Sequence, residues 1–549
     1  MTDDEIQLSS RPRVSLAQGI VAGIEEKGDF PGSIESFKGI PYAQPPVGRL
    51  RFQEPVKVQP NPDALIDASR FGPRAPARQF IIIGPKLEES EDCLTVNIFR
   101  PKGTRKGAKL PVVLYFHGGA FNRGNAAMHD TGAVVGWSEQ PMIGVSFGYR
   151  IGALGFLPSR ASADMGLLNL GLKDQILMMQ WVQENIEHFG GDPATVTLMG
   201  LSAGAHSIGH HLLNYESDNQ EPLFSRVIME SGAPTSRAVR YPDAPVHESQ
   251  WADLLKEVDC PDGLSNLEIF EYLRSLPISE VADAQAFVFE KYNRTLQWAF
   301  QPVIDGEIIR QPPIDAWQSG KWHKVPILTG FTTNEGSLYV DKTMSTGGQF
   351  TDFWRTLLPK LEESDIGVID QLYPNPELGN DSTYKETRQD LGVGDMYKRI
   401  EAAYAQYAYV APVRQTAHLA SEHVPVYMYH WALEGDIVNG ARHGDNLFYE
   451  TKQKAKCDIS KSQADLAGIM HAYITSFICQ GDPNALEGEY QTRPKWSAYD
   501  NQTPKVMIFA EHNKELVGGT IGPPALLEED SWAKVESDFW WSKVRVSQQ

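Results

Sequence analysis

The run Val196-Thr-Leu-Met-Gly-Leu-Ser-Ala-Gly204 limits what this chain can fold into more than any other segment. An apolar strand ends in Gly-x-Ser-x-Gly and passes at once into a helix-like stretch from Ala205 to Leu213. Glycine at 200 and 204 lets a strand turn sharply into a helix, so Ser202 is predicted on a tight corner with its hydroxyl facing a cleft. That placement makes a serine a nucleophile. A serine in an ordinary Gly-rich turn fits the same five letters, so three further segments have to decide.

The first lies upstream. Leu110 to Phe116 reads as a buried strand and is followed directly by His117-Gly118-Gly119-Ala120-Phe121. The backbone N–H groups of Gly118 and Gly119, with that of Ala203, are the candidate donors to an oxygen that becomes negative during acyl transfer. Losing one such donor costs about 3 kcal/mol of transition-state stabilisation. The plainer reading of the glycine pair is a tight strand-exit turn. The second segment is Pro326 to Phe331, strand-like, which runs into a loop carrying Glu335 at the carboxyl end of the strand, where catalytic groups of open α/β sheets gather. In the third, the strand-like Val426 to Trp431 precedes a Gly-flanked loop holding His443. The chain order Ser202, Glu335, His443 is that of the α/β hydrolases and differs from the orders of other serine-hydrolase folds. Alternating strand-like and helix-like segments from 110 to 232 predict an α/β fold with a large, mostly parallel central sheet flanked by helices.

With these residues in view, the chain resembles the type-B carboxylesterases, the branch of the α/β hydrolases that holds fungal esterases and lipases, liver carboxylesterases and cholinesterases. A fungal or microbial member is the nearest description. Gly39 to Gly48, Ser90 to Asn97, Phe147 to Phe156, Trp181 to Pro193, Gln301 to Gly306 and Gly481 to Asn484 all look like family segments. The resemblance implies Ser202 as nucleophile, His443 as general base and then acid, Glu335 as the group orienting His443, and Gly118, Gly119 and Ala203 as the oxyanion hole. It implies internal ion pairs Arg150 with Asp174 and Arg51 with Glu91, a buried Ser231 near the histidine, and neither a metal nor an organic cofactor. Two departures stand out. Most members carry glutamate before the nucleophile where this chain has Leu201, which argues against cationic choline-type substrates. Cys93 lacks the upstream partner usual in the family, and Cys260, Cys457 and Cys479 offer no evident pairing.

Scarce pairable cysteines and an acidic N-terminus without an apolar core predict a cytoplasmic protein. Motifs spread from residue 39 to beyond 490 predict one catalytic domain over 1–549, with helical insertions at roughly 235–300 and 340–425 roofing the cleft. No apolar run reaches the roughly 18 residues of a membrane span, so no stable membrane insertion is expected. A net charge of -20 disfavours nucleic acid and anionic membranes. The oligomeric state is not legible. Gln463 to Cys479 reads as an amphipathic helix packed in the core. The first dozen residues and the tail beyond about 540 are expected to be loosely ordered.

His206 and His210 stand four residues apart with His211 adjacent, a metal-ligand spacing, but Ser207 replaces the glutamate of the metalloprotease pattern, and packing is the preferred reading. The expected activity is hydrolysis of short- to medium-chain or small aromatic and apolar carboxylic esters through an acyl-enzyme, the partner being a small-molecule ester. Lipase action is the alternative, set second because the family's lipases carry a longer, disulfide-tethered lid where this chain has the short Phe80-Ile-Ile-Ile-Gly84 and no tether. Amide, lactone or carbamate hydrolysis by the same triad is a further alternative. A non-enzymatic scaffold role is disfavoured by the intact triad. Candidate pocket walls are Phe121, Leu201, Trp298, Phe300, Phe448 and Tyr449.

Overall fold

The apolar runs read from the sequence become strands, and two of them, Leu110–Phe116 and Val426–Trp431, keep the boundaries expected. The computed structural model describes residues 11–77, 84–215, 222–379 and 382–548. Residues 1–10 and 80–83, which carry the expectations for the N-terminus and most of the cleft-mouth segment, lie outside it.

In chain order the strands are β1 (Arg13–Leu16), β2 (Gly19–Ala22), β3 (Ile24–Lys27), β4 (Ser33–Pro41), β5 (Leu65–Asp67), β6 (Thr95–Pro101) and β7 (Leu110–Phe116). They continue as β8 (Ile143–Phe147), β9 (Gly191–Leu201), β10 (Arg226–Glu230), β11 (Ile327–Thr332), β12 (Val426–Trp431), β13 (Lys505–Phe509) and β14 (Ala525–Glu529). β1, β2 and β5 form a small sheet. The other eleven form one central sheet in the order β14-β13-β12-β11-β10-β9-β7-β8-β6-β4-β3. Every pairing from β8 to β13 is parallel, and the pairings outside that block are antiparallel.

The parallel block is covered on both faces, which is why its strands are nearly continuous apolar runs. Side chains alternate across β7: Val112, Leu114 and Phe116 join one core, while Val113 and Tyr115 join another. Helices Leu170–Asn185 and Ala203–Leu213 cover the first face through Leu172, Met178, Trp181, Ile208 and Leu212. Helix Lys461–Gln480 covers the second through Leu466, Ile469, Met470, Tyr473 and Phe477. Each fully buried side chain of this kind contributes about 1.5–3 kcal/mol. This helix is buried on almost every side rather than along one stripe.

Helices Pro245–Glu257, Asn266–Ser275 and Ile278–Asn293 occupy the first expected insertion, and Gly347–Leu357, Glu363–Leu372, Tyr397–Ala405 and Ala411–Ser421 the second. The second builds its own core around Phe350, Trp354, Ile369, Tyr373 and Tyr404. The chain end corrects the expectation of a loose tail. It forms helices Lys534–Ser542 and Val544–Ser547, and Trp540 is buried against Trp354 and Tyr407 with its Nε1–H donating to Tyr373. Aromatic anchors outweigh terminal fraying there.

Both ion pairs implied by the family resemblance are present. Arg150 holds Asp174 with two side-chain bonds of 2.8 and 2.6 Å, and both residues are buried. Arg51 grips Glu91 at 2.6 and 2.8 Å and also donates to the carbonyls of Leu273 and Leu276, tying the first insertion to the N-terminal region. Removing one member of such a buried pair costs about 3–5 kcal/mol, because the other charge is stranded. Cys93, Cys260, Cys457 and Cys479 are all free thiols.

Candidate active site

Strand register brings the serine and the Gly-rich loop side by side. Phe116 pairs with Gly200 and Glu230 with Leu201, so 117–119 and 201–203 leave adjacent strands at the same end of the sheet. Ser202 sits at φ +59°, ψ -122°, a conformation that non-glycine residues seldom adopt and that only surrounding structure maintains. Its N–H donates to the Glu230 carbonyl at 2.9 Å, and its own carbonyl accepts from His206 N at 2.9 Å. Gly204 is fixed by close approach: a Cβ there would lie 2.1 Å from the Phe116 carbonyl oxygen.

The loop after β7 is clamped from several directions. Tyr149 donates its hydroxyl to the His117 carbonyl at 2.7 Å, and Asn122 and Gln301 both donate to the Ala120 carbonyl at 2.9 Å. Burial pushes the His117 imidazole down to about 4, so it is neutral, and Nδ1 lies 2.9 Å from the Gly118 carbonyl. Gly118 passes directly over Ser202, for a Cβ on it would lie 3.2 Å from Ser202 Cβ. The backbone N–H groups of Gly118, Gly119 and Ala203 donate to no acceptor among the described residues.

Glu335 and His443 leave the carboxyl ends of neighbouring strands β11 and β12. Asn334 joins the two loops, donating its backbone N–H to the Ala441 carbonyl at 2.9 Å and accepting the Ala441 N–H on Oδ1 at 3.0 Å. Fully buried Glu335 accepts the Thr332 N–H on Oε1 at 2.8 Å and bonds His443 Nδ1 through Oε2. His443 Nε2 is buried and has no hydrogen-bond partner among the described residues. The ring is wedged by Tyr339, edge-on at 5.4 Å, and Tyr409 at 4.9 Å. Tyr409 arrives on a π-helical turn, Gln406–Val410, between two α-helices, a distortion frequent at functional sites. Behind the acid, Asn334 Nδ2 donates to Glu401 at 3.1 Å, and burial pushes that carboxyl up to about 7.

Ser202 and His443 line one cleft of about 700 Å³, together with Gly118, Gly119, Tyr115, Arg123, Met128, Leu338, Tyr339, Arg442 and Leu447. Gly84, the described end of the cleft-mouth segment, lines it as well. Two of the six expected wall residues, Leu201 and Phe448, reach this cleft. The other four pack behind its lining. Phe121 is buried against Phe156, and Trp298 is buried against Tyr339 with its Nε1–H on Asn293. Phe300 is buried in the main core, and Tyr449 packs on Trp431 while donating to Gln463 at 2.5 Å. Large aromatics next to motif residues gained more by joining the core than by facing solvent. Leu338, Tyr339 and Arg442 were missed although they flank Glu335 and His443 in sequence, and that adjacency was the available signal.

Ser231, buried with no hydrogen-bond partner for Oγ among the described residues, occupies the strand end beside Ser202. His206 Nδ1 lies 3.1 Å from the Ala233 carbonyl and His211 Nε2 lies 2.8 Å from Gln175, so these rings have separate partners. Burial lowers His206, His210 and His211, which keeps them neutral.

Residues 10–521 match the model of the carboxylesterase family. The chain belongs to that family. It is a carboxylic ester hydrolase with the α/β-hydrolase fold, and the fungal carboxylesterases and lipases are its kin. It is 31% identical over 521 residues to secreted lipase 4 of Gibberella zeae, covering 94% of this chain and 89% of that one. To the secreted triacylglycerol lipase LIP1 of the same fungus it is 28% identical, over 93% and 88% of the two chains. The solved structure of EstA from Aspergillus niger superposes with a TM-score of 0.82 at 26% identity, over 98% of this carboxylesterase and 99% of EstA. The cytoplasmic expectation finds no support in relatives that carry "secreted" in their names. No helix among the described residues is long and apolar enough to cross a membrane.

Proposed function

We propose that this carboxylesterase cleaves its esters through a Ser202–His443–Glu335 triad and an acyl-enzyme. The observation that carries the reading is the polarity of His443: Nδ1 is committed to Glu335, and Nε2, in the cleft that holds Ser202, has no partner among the described residues. Nε2 takes the Ser202 proton as the hydroxyl attacks the ester carbonyl, while Glu335 fixes the tautomer and stabilises the imidazolium. The unengaged N–H groups of Gly118, Gly119 and Ala203 receive the tetrahedral oxyanion. The alcohol leaves with the proton from His443, and water repeats the sequence to release the acid.

A cleft of about 700 Å³ with Tyr115, Met128, Leu201, Leu338, Leu447 and Phe448 on its walls supports short- to medium-chain or small apolar acyl groups. The names of the fungal relatives favour a second reading, hydrolysis of lipid esters. Nitrophenyl esters of increasing acyl length, run on wild type and Ser202→Ala, test the first. The variant is expected to lose turnover by at least about 10³-fold, with a chain-length optimum in the wild type. A phosphonate inhibitor that labels a residue other than Ser202 refutes the assignment. For location, free thiols favour a reducing compartment and the relatives favour secretion; activity in the medium or in the cell extract of a producing culture decides it.

A further inference from the structure

A second carboxylate stands behind the turn that carries Glu335. Helix Tyr397–Ala405 packs on the single turn Glu335–Leu338 so closely that a Cβ on Gly336 would lie 2.3 Å from the Glu401 carbonyl oxygen. The Glu401 side chain is buried there, and its Oε2 accepts from Asn334 Nδ2 at 3.1 Å. The same Asn334 amide accepts the Ala441 N–H on Oδ1 at 3.0 Å, two residues before His443. One amide therefore ties the loop of Glu335 to the loop of His443, and its far side rests on Glu401. An ionised carboxylate only accepts, so it fixes which way that amide faces: the reversed amide would set NH₂ against the Ala441 N–H and oxygen against oxygen at Glu401. A protonated carboxyl can donate as well, and tolerates either orientation.

Burial pushes Glu401 up to about 7, and the Glu335 carboxylate adds to the rise against the pull of Asn334, the Gly336 N–H and Arg388. The other groups around it keep one state near neutrality. Arg388 is clamped by Glu386 with two bonds of 2.7 Å, Arg442 is held by Asp445 at 2.7 Å, and burial keeps the Tyr384 and Tyr397 phenols neutral. We propose that Glu401 is a positioning residue for the ester hydrolysis: its carboxylate orients the Asn334 amide that joins the two loops, and its negative charge favours the imidazolium that His443 becomes. The inference rests on the Ser202–His443–Glu335 reading. Glu401 does not line the cleft, so its contribution is expected in kcat rather than in KM.

The test compares wild type with Glu401→Gln on nitrophenyl butyrate from pH 5.5 to pH 9. Glutamine keeps an acceptor for Asn334 and never ionises. At the acid end wild-type Glu401 is protonated too, and the two kcat values are expected to agree within about twofold. Through pH 7 wild type is expected to pull ahead, reaching about three- to tenfold at pH 9 with KM within twofold throughout. Glu401→Asp, which keeps the charge, is expected to restore part of that pH-dependent gain. A ratio of kcat values that is the same at every pH, whether one or larger, overturns the proposal, because a purely structural glutamate has no reason to act only when ionised. Should Glu401→Gln fail to fold, the wild-type kcat curve decides alone: two ionisations, of His443 and of Glu401, are expected, and a curve that fits one overturns the proposal. Ser202→Ala run beside these separates the two readings. Full turnover in that variant fails the triad and the inference with it, whereas its loss together with a flat ratio fails the inference alone.

Discussion

Glu335 shows how one atom type divides structure from chemistry. Oε1 holds the turn by accepting from Thr332 and Oε2 holds His443. In Glu335→Gln the amide oxygen can keep the Thr332 bond while the NH₂ faces Nδ1, which forces the proton onto the wrong imidazole nitrogen. The expected outcome is a kcat lowered by about 10³- to 10⁴-fold with a thermal midpoint close to wild type, read by kinetics and unfolding on the same preparation. A kcat within tenfold of wild type removes Glu335 from the mechanism. Gly204→Ala fails in the opposite way, since its Cβ would meet the Phe116 carbonyl at 2.1 Å: stability falls by more than about 2 kcal/mol, seen as a lowered urea midpoint. These residues were legible because their signals are local, a glycine or a carboxylate at a fixed offset from an apolar run. Arg123 was not legible, because Asn122-Arg123 reads as any polar loop until Phe289 from a distant insertion closes over it.

Beneath the strands, a buried polar knot links β10 and β12 to the histidine loop. Tyr429 and Asn446 donate to Glu230 Oε1 at 3.1 and 2.8 Å, and His129 Nε2 lies 3.1 Å from Glu450 Oε1. The remaining oxygens, Oε2 of Glu230 and of Glu450, have no donor among the described residues, and the two carboxyls interact, so one proton shared between them satisfies both. Burial and the like charge of Glu450 raise Glu230 well above its ordinary 4.5, and burial raises Glu450 to about 7. The folded chain then binds more protons than the unfolded chain above about pH 4.5, so this pair erodes stability as pH rises through that value, by at most about 1.4 kcal/mol per pH unit for the one proton it holds, until the folded pair gives that proton up. Glu230→Gln can keep the acceptor for Tyr429 and Asn446 and offers a donor to Glu450 without titrating. Its thermal midpoint is expected to gain on wild type steadily between about pH 5 and pH 8; parallel curves would exclude the shared proton. Strand positions were legible from apolar runs, since both faces of the parallel block are buried. The knot was not, because Glu230 and Glu450 stand 220 residues apart in numbering and only the pairing of strands brings them together.

The division between a catalytic sheet and two helical insertions sets what can enter the cleft. The sheet supplies Ser202, the N–H groups of Gly118, Gly119 and Ala203 and the loops of Glu335 and His443, whereas Tyr409 and, through Phe289, the setting of Arg123 come from the helical stretches between strands. That these stretches are helical was readable from a shift to polar helical pattern, but not which of their side chains face the site, since that depends on helix rotation against a core built by Trp354, Tyr373 and Trp540. The same limit explains why Phe121, Trp298, Phe300 and Tyr449 were expected in the wall. What covers the cleft from solvent decides between an esterase and a lipase. A lipase that hides its site under an apolar cover gains activity when substrate forms a separate phase, because the surface pays the cost of exposing that cover. In this carboxylesterase the ion pair of Arg442 and Asp445 lines the cleft with the apolar groups, and the Arg442 side chain, 39% exposed, stays hydrated at an aqueous mouth but loses solvation against oil. Hydrolysis of tributyrin or vinyl butyrate is therefore expected to saturate below the solubility limit, with no rise when droplets appear. Arg442→Leu, which strips one of those charges from the cleft lining, is expected to shift the balance toward longer neutral acyl chains by a few-fold in kcat/KM. A sharp increase in wild-type rate at the phase boundary would establish the lipase reading instead.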